Sequence, residues 1–209
     1  MTDAFEIRCL DIGKKFGRDW IFRSVDTSFK PGEKVAILGQ NGSGKSTFLM
    51  SLSGFYALSK GNILWKDKTG KDVESLDWYQ HYTLISPLLE LPEEVTVDEF
   101  FELHFQLKKP KADWNKARMY EITGLIAAKH KFIKQLSSGM RQRLKLMAAF
   151  VPDVPVIFLD EPCTNLDEKG IELYRNLVQG SQDQLLIIAS NMKVEYDFCE
   201  RVLEMEDLR

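Results

Sequence analysis

The sequence predicts an α/β domain built around a mostly parallel sheet. Three observations carry that expectation. Residues 154–159 and 185–189 are continuous apolar runs, as expected of parallel strands covered on both faces. Residues from 168 to about 178 lie between them and read as a helix, which gives a strand–helix–strand order. A third short apolar strand, residues 34–38, runs directly into a glycine-rich loop and then a helical segment.

The other elements follow in chain order. Residues 5–10 and 20–29 alternate apolar and polar side chains, so an N-terminal antiparallel β subdomain is expected. Pro31-Gly32-Glu33 is a turn. A helix is predicted over 45–52, then strands over 61–66 and 82–86. Residues 96–107 read as a helix whose first turn carries Asp98 and Glu99. Its apolar side chains cover roughly twice the arc of a one-sided surface helix. That predicts burial on two sides, or a face offered in part to a partner at Phe100 and Phe105. Pro110 marks a break, and helices are predicted over 116–128 and 140–150. The whole chain, 1–209, is expected to be one domain with a helical lobe inserted at approximately 87–140. His104 is expected on a helix surface, and neither it nor His81 or His130 shows metal-like spacing.

Composition narrows the function classes. Lys plus Arg is 28 against 31 Asp plus Glu, a net charge of −3, which argues against a nucleic-acid partner. The one basic cluster, Lys108, Lys109, Lys111, Lys116 and Arg118, is interleaved with Asp113 and reads as a solvated face. Cys9, Cys163 and Cys199 are odd in number and scattered, the pattern of reduced thiols in a cytoplasmic protein. No stretch reaches the roughly 18 consecutive apolar residues of a membrane span. The start, Met1-Thr2-Asp3, lacks an apolar signal core, so secretion is not expected.

Gly39-Gln40-Asn41-Gly42-Ser43-Gly44-Lys45-Ser46 fits G-x-x-x-x-G-K-[ST] at every position. Glycines let such a loop wind tightly and turn backbone N–H groups toward phosphates. The following helix adds the positive end of its dipole. Lys45 can reach the β- and γ-phosphates, the Ser46 hydroxyl can ligate magnesium, and Thr47 can add a phosphate contact. The second element is the apolar run Val156-Ile157-Phe158-Leu159, ending in Asp160-Glu161. It places two carboxylates at the carboxyl edge of the sheet, where open α/β folds bind ligands. Asp160 would hold magnesium, and Glu161 would orient or deprotonate an attacking water.

The third element is Leu136-Ser137-Ser138-Gly139-Met140, followed by Arg141-Gln142-Arg143. With it the chain resembles the nucleotide-binding subunit of ABC transporters, whose signature reads LSGGQ. The resemblance covers essentially the whole chain in the family's order, with Cys163-Thr164-Asn165-Leu166-Asp167 resembling the family's D-loop. It implies a P-loop NTPase core and an ATPase using ATP and Mg²⁺. It implies that Phe16 stacks on adenine, and that Ser137 and Gly139 complete the ATP site of a second copy of the chain or a related subunit, head to tail. It also implies a transmembrane permease as partner, with the chain peripheral on the cytoplasmic face of the membrane. The chain is short, like exporter-type subunits.

Two residues depart from the family. Ser86 stands where a magnesium-ligating Gln is usual, and Asn191 where a His contacts the γ-phosphate. Ser is shorter than Gln, and Asn cannot titrate near neutral pH. Glu161 is retained, so ATP binding and slow hydrolysis are expected. A soluble ABC-type ATPase in DNA maintenance or translation, and a small-molecule kinase, are the competing readings.

Overall fold

The computed structural model describes residues 5–208. In chain order its elements are β1 (Glu6–Phe16), β2 (Asp19–Phe29), β3 (Lys34–Leu38), α1 (Lys45–Leu52), β4 (Lys60–Lys66), β5 (Asp72–Val73), β6 (Tyr82–Ile85), α2 (Val97–Leu107), α3 (Lys116–Thr123), α4 (Ser138–Phe150), β7 (Val156–Asp160), α5 (Glu168–Gln179), β8 (Leu185–Ala189), α6 (Lys193–Tyr196) and β9 (Arg201–Glu204). They form two compact units. One contains the residues up to Leu84, Val154–Glu161 and those from Asp183 onward; the other contains Ile85–Asp153 and Pro162–Gln182. The lobe expected at 87–140 falls within the second unit, which also takes in α4 and α5.

The first unit carries two sheets. The antiparallel sheet has the order β2-β1-β4-β5, and the other has the order β6-β7-β8-β3-β9. β3 runs parallel to β8 and β9, and β7 runs parallel to β8. Every residue of β7 and β8 is buried, which is why both read as unbroken apolar runs. The core of this unit centres on Trp65, which stacks on Trp78 at 5.3 Å and meets Phe158 at 6.1 Å.

β1 extends well beyond the alternation expected to end near residue 10. Its register with β2 shifts between Cys9 and Lys15, and Asp11 sits at φ 50. Such bulges break the two-residue period without ending the strand. The continuation carries Phe16 to the hairpin tip, where Gly17 takes φ 59 in the turn to β2.

In the second unit, α2 starts with a reciprocal cap. Thr96 Oγ1 accepts from Glu99 N at 3.2 Å, and Glu99 Oε2 accepts from Thr96 N at 2.8 Å. Val97, Phe100 and Phe101 are buried, whereas Leu103 and Leu107 are exposed. His104, expected on the helix surface, is half-buried. Its Nε2 donates to Ala148 O at 2.9 Å, its ring stacks on Phe100 at 5.5 Å, and burial pushes its pKa below the usual histidine value. α3 ends at Thr123, short of the predicted residue 128, because Gly124 turns left-handed at φ 67. A single 3₁₀ turn, Ile126–Ala128, supplies the rest. The three cysteines are free thiols, and no helix among the described residues is long and apolar enough to cross a membrane.

Candidate nucleotide site

The site of the first unit lies at the carboxyl ends of β3, β7 and β8. β3 delivers the glycine loop. Gly39 and Gly44 hold φ 146 and φ 106. A β-carbon on Gly39 would come within 2.6 Å of Ser43 Oγ, and one on Gly44 within 2.2 Å of Ile21 Cγ2. Only glycine satisfies both demands at these positions. Lys45 Nζ folds back along the loop, donating to Gly39 O at 2.8 Å and Gln40 O at 3.2 Å. No side chain caps the first turn of α1. Its amino end is therefore chemically suited to an anion.

β7 ends in buried Asp160, whose Oδ1 accepts from Ser46 Oγ at 3.0 Å across a sequence separation of 114. Two hard oxygens from distant segments thus meet beside the loop, a donor set that suits Mg²⁺. Glu161 takes φ 49, a left-handed conformation uncommon for a carboxylate side chain, and its N–H donates to Ala189 O at 2.9 Å. Such strain, held by a neighbouring strand, concentrates at functional sites.

β8 delivers Ser190 and Asn191. Ser190 N donates to Ile37 O at 3.2 Å, Ser190 Oγ accepts from Met192 N at 2.8 Å, and the hydroxyl donates to fully buried Glu195. That turn presents Asn191, whose Nδ2 donates to Asn41 Oδ1 at 2.5 Å. The γ-phosphate candidate is thereby tied to the glycine loop. A cleft of about 360 Å³ takes in Phe16, Ile21, Glu161 and loop residues Asn41, Gly42, Gly44, Lys45, Ser46 and Thr47. Ser43 is buried within the loop rather than lining this cleft.

The remaining candidates belong to the second unit. Ser86 is fully buried, and its Oγ accepts from Leu88 N at 3.2 Å. Ser137 is the N-cap of α4, its Oγ accepting from Met140 N at 3.3 Å. Gly139 is close-packed, since a β-carbon there would approach Asn165 O to 3.0 Å. Asn165 takes φ 64, and Asp167 caps α5 by accepting from Gly170 N at 2.9 Å. Asp167 also pairs with Arg143 at 2.6 Å, and this hydrogen bond holds its pKa below the usual carboxylate value. Gln142 Nε2 donates to Pro162 O at 2.6 Å, which ties the signature helix to the start of the D-loop.

Sequence reasoning missed Ile21, Ser190, Glu195 and Gln142. Gln142 sits beside the signature in sequence and was open to discovery there. Ile21 and Glu195 act through contacts that no local pattern announces.

A glycine loop that opens a helix, joined by its serine to an aspartate at the end of a buried strand, defines a P-loop nucleotide-binding protein. The ABC transporter family model matches residues 22–164, and the chain belongs to that family as an ATP-binding subunit. ABC transporter I family member 1 of Arabidopsis thaliana is 32% identical over 183 residues, covering 85% of this chain and 78% of the relative. The sulfate/thiosulfate import ATP-binding protein cysA of Cucumis sativus is 29% identical, with 98% of this chain covering 58% of that protein's length. Among solved structures, a dimeric post-hydrolysis ATP-binding cassette bound to ADP and Pi superposes with a TM-score of 0.74 at 22% identity. The alignment covers 95% of this chain and 93% of that one, and confirms the fold.

Proposed function

We propose that this chain binds Mg-ATP and hydrolyses it to drive a separate transmembrane permease, pairing head to tail with a second copy or a related ATP-binding subunit. The single observation carrying this reading is the Ser46–Asp160 contact at 3.0 Å beside a glycine loop whose helix has no side-chain cap. Lys45 and the loop N–H groups hold the phosphates, with Gly39, Gly42 and Gly44 allowing the backbone close. Ser46 and Asp160 would hold Mg²⁺, which offsets phosphate charge as it develops. Ser86 is the further candidate ligand, although its hydroxyl is engaged in a local turn.

Glu161 accepts the proton of the attacking water. Asn191 donates to the γ-phosphate, and Phe16 stacks on the adenine. Ser137 and Gly139 at the start of α4 serve the nucleotide of the paired subunit. The chain works at the cytoplasmic face of the membrane, held there by its permease. Asn191 and Ser86 in place of His and Gln make turnover slow.

The test is steady-state ATP hydrolysis with Mg²⁺ by the purified chain and by Glu161→Gln. The variant should lose about 10²–10⁴-fold in kcat, the usual worth of a general base. Equal rates would remove Glu161 from that role.

A further inference from the structure

We infer that Lys14 and Tyr56 position the Phe16 ring as the base-stacking platform, an inference that rests on the reading of Phe16 as the adenine contact. Phe16 ends β1 and is 48% exposed, so little of its own strand holds the ring in place. Two neighbours supply the restraint. The Lys14 ammonium stands over the Phe16 ring, 4.8 Å from its centroid. Tyr56 meets the same ring in a T-shaped contact, with centroids 5.9 Å apart. The ammonium also lies 5.5 Å from the Tyr56 centroid, so one cation serves both rings.

The cation is itself fixed, because Lys14 Nζ donates to Ala57 O at 2.7 Å. The loop after α1 is stapled to the end of β1 at two further points. Ser59 N donates to Gly13 O at 2.8 Å, and Lys15 N donates to Ser59 Oγ at 3.1 Å. Tyr56 hangs from α1 through Tyr56 N donating to Met50 O at 3.1 Å. α1 is the helix whose amino end carries the glycine loop. One helix therefore anchors both ends of the nucleotide: the phosphate loop at its start, and the buttress for the base ring just past its end. Phenylalanine has no hydroxyl with which to hold itself in place. With Lys14 over one face of the ring, the base takes the other.

The experiment measures equilibrium binding of ATP and of inorganic tripolyphosphate, which has phosphates but no base. Lys14→Met and Tyr56→Ala should each weaken ATP binding about two- to fivefold, the worth of an exposed cation–π or aromatic pair. Tripolyphosphate affinity should stay unchanged, and the conservative variants Lys14→Arg and Tyr56→Phe should restore ATP affinity. Equal losses for both ligands would mark Lys14 and Tyr56 as merely structural and overturn the inference. So would unchanged ATP affinity in Lys14→Met and Tyr56→Ala while Phe16→Ala binds ATP weakly. Unchanged ATP affinity in Phe16→Ala would instead overturn the stacking role on which the inference rests.

Discussion

Two helices in this protein begin in serine- and glycine-rich turns, and they begin in opposite ways. α1 starts after Gly44, which sits at φ 106 and offers no side-chain cap. α4 starts after Ser137, whose hydroxyl accepts the Met140 N–H at 3.3 Å. Every helix start leaves amide donors that need a partner. At α1 the sequence withholds the partner, so a ligand can supply it. At α4 the chain supplies its own, through a long and weak bond. A phosphate site is thus made by leaving a cap out. On the proposed pairing, Ser137 exchanges its Met140 contact for the nucleotide of the paired subunit.

The contrast can be broken most directly at Gly44. Gly44→Ala places a β-carbon 2.2 Å from Ile21 Cγ2 and forces alanine to φ 106. Backbone strain of about 1–3 kcal/mol corresponds to a loss in ATP affinity of about tenfold or more, measurable by titration calorimetry. Gly139 is the matching control: it has no positive φ, so alanine there should leave ATP binding by the isolated chain intact. A second change probes the site's other wall. Asn191→His restores the residue whose absence predicts slow turnover, and kcat should rise roughly tenfold, a modest share of one transition-state hydrogen bond. An unchanged kcat would place the limit elsewhere.

The smallest effect lies in the second unit. Burial lowers the pKa of His104 in the fold below its unfolded value near 6.5. Around and below that value the unfolded chain binds more protons at this site than the folded chain, so stability falls as pH drops below about 7. Thermal melts of His104→Gln should show a shallower decline over that window than the parent chain.

The parts of the molecule that could be read in advance share one property: their signals are contiguous. The glycine loop, Asp160-Glu161 and the buried strands β7 and β8 each announce themselves within a few residues. β1 could be read only to residue 10 because bulges then disrupt its alternation. The apolar pattern carries α3 past Gly124, whereas the backbone turns left-handed there and ends the helix. The His104 hydrogen bond reaches Ala148, 44 residues away, and the Asn41–Asn191 contact spans 150. The expectation of a γ-phosphate role at Asn191 came from family order, but its tether to the loop could be seen only once the chain was folded. Tyr56 carried no signal at all, because an aromatic after a helix is usually packing.

On the proposed pairing, the glycine loop and the signature turn act on one nucleotide from two chains. Sedimentation velocity of Glu161→Gln, with hydrolysis slowed, tests it directly. With saturating Mg-ATP the expected outcome is a dimer that is absent without nucleotide, and that is lost in Glu161→Gln/Ser137→Arg although ATP still binds. A Glu161→Gln chain that binds ATP yet stays monomeric, or a dimer indifferent to Ser137→Arg, would contradict it.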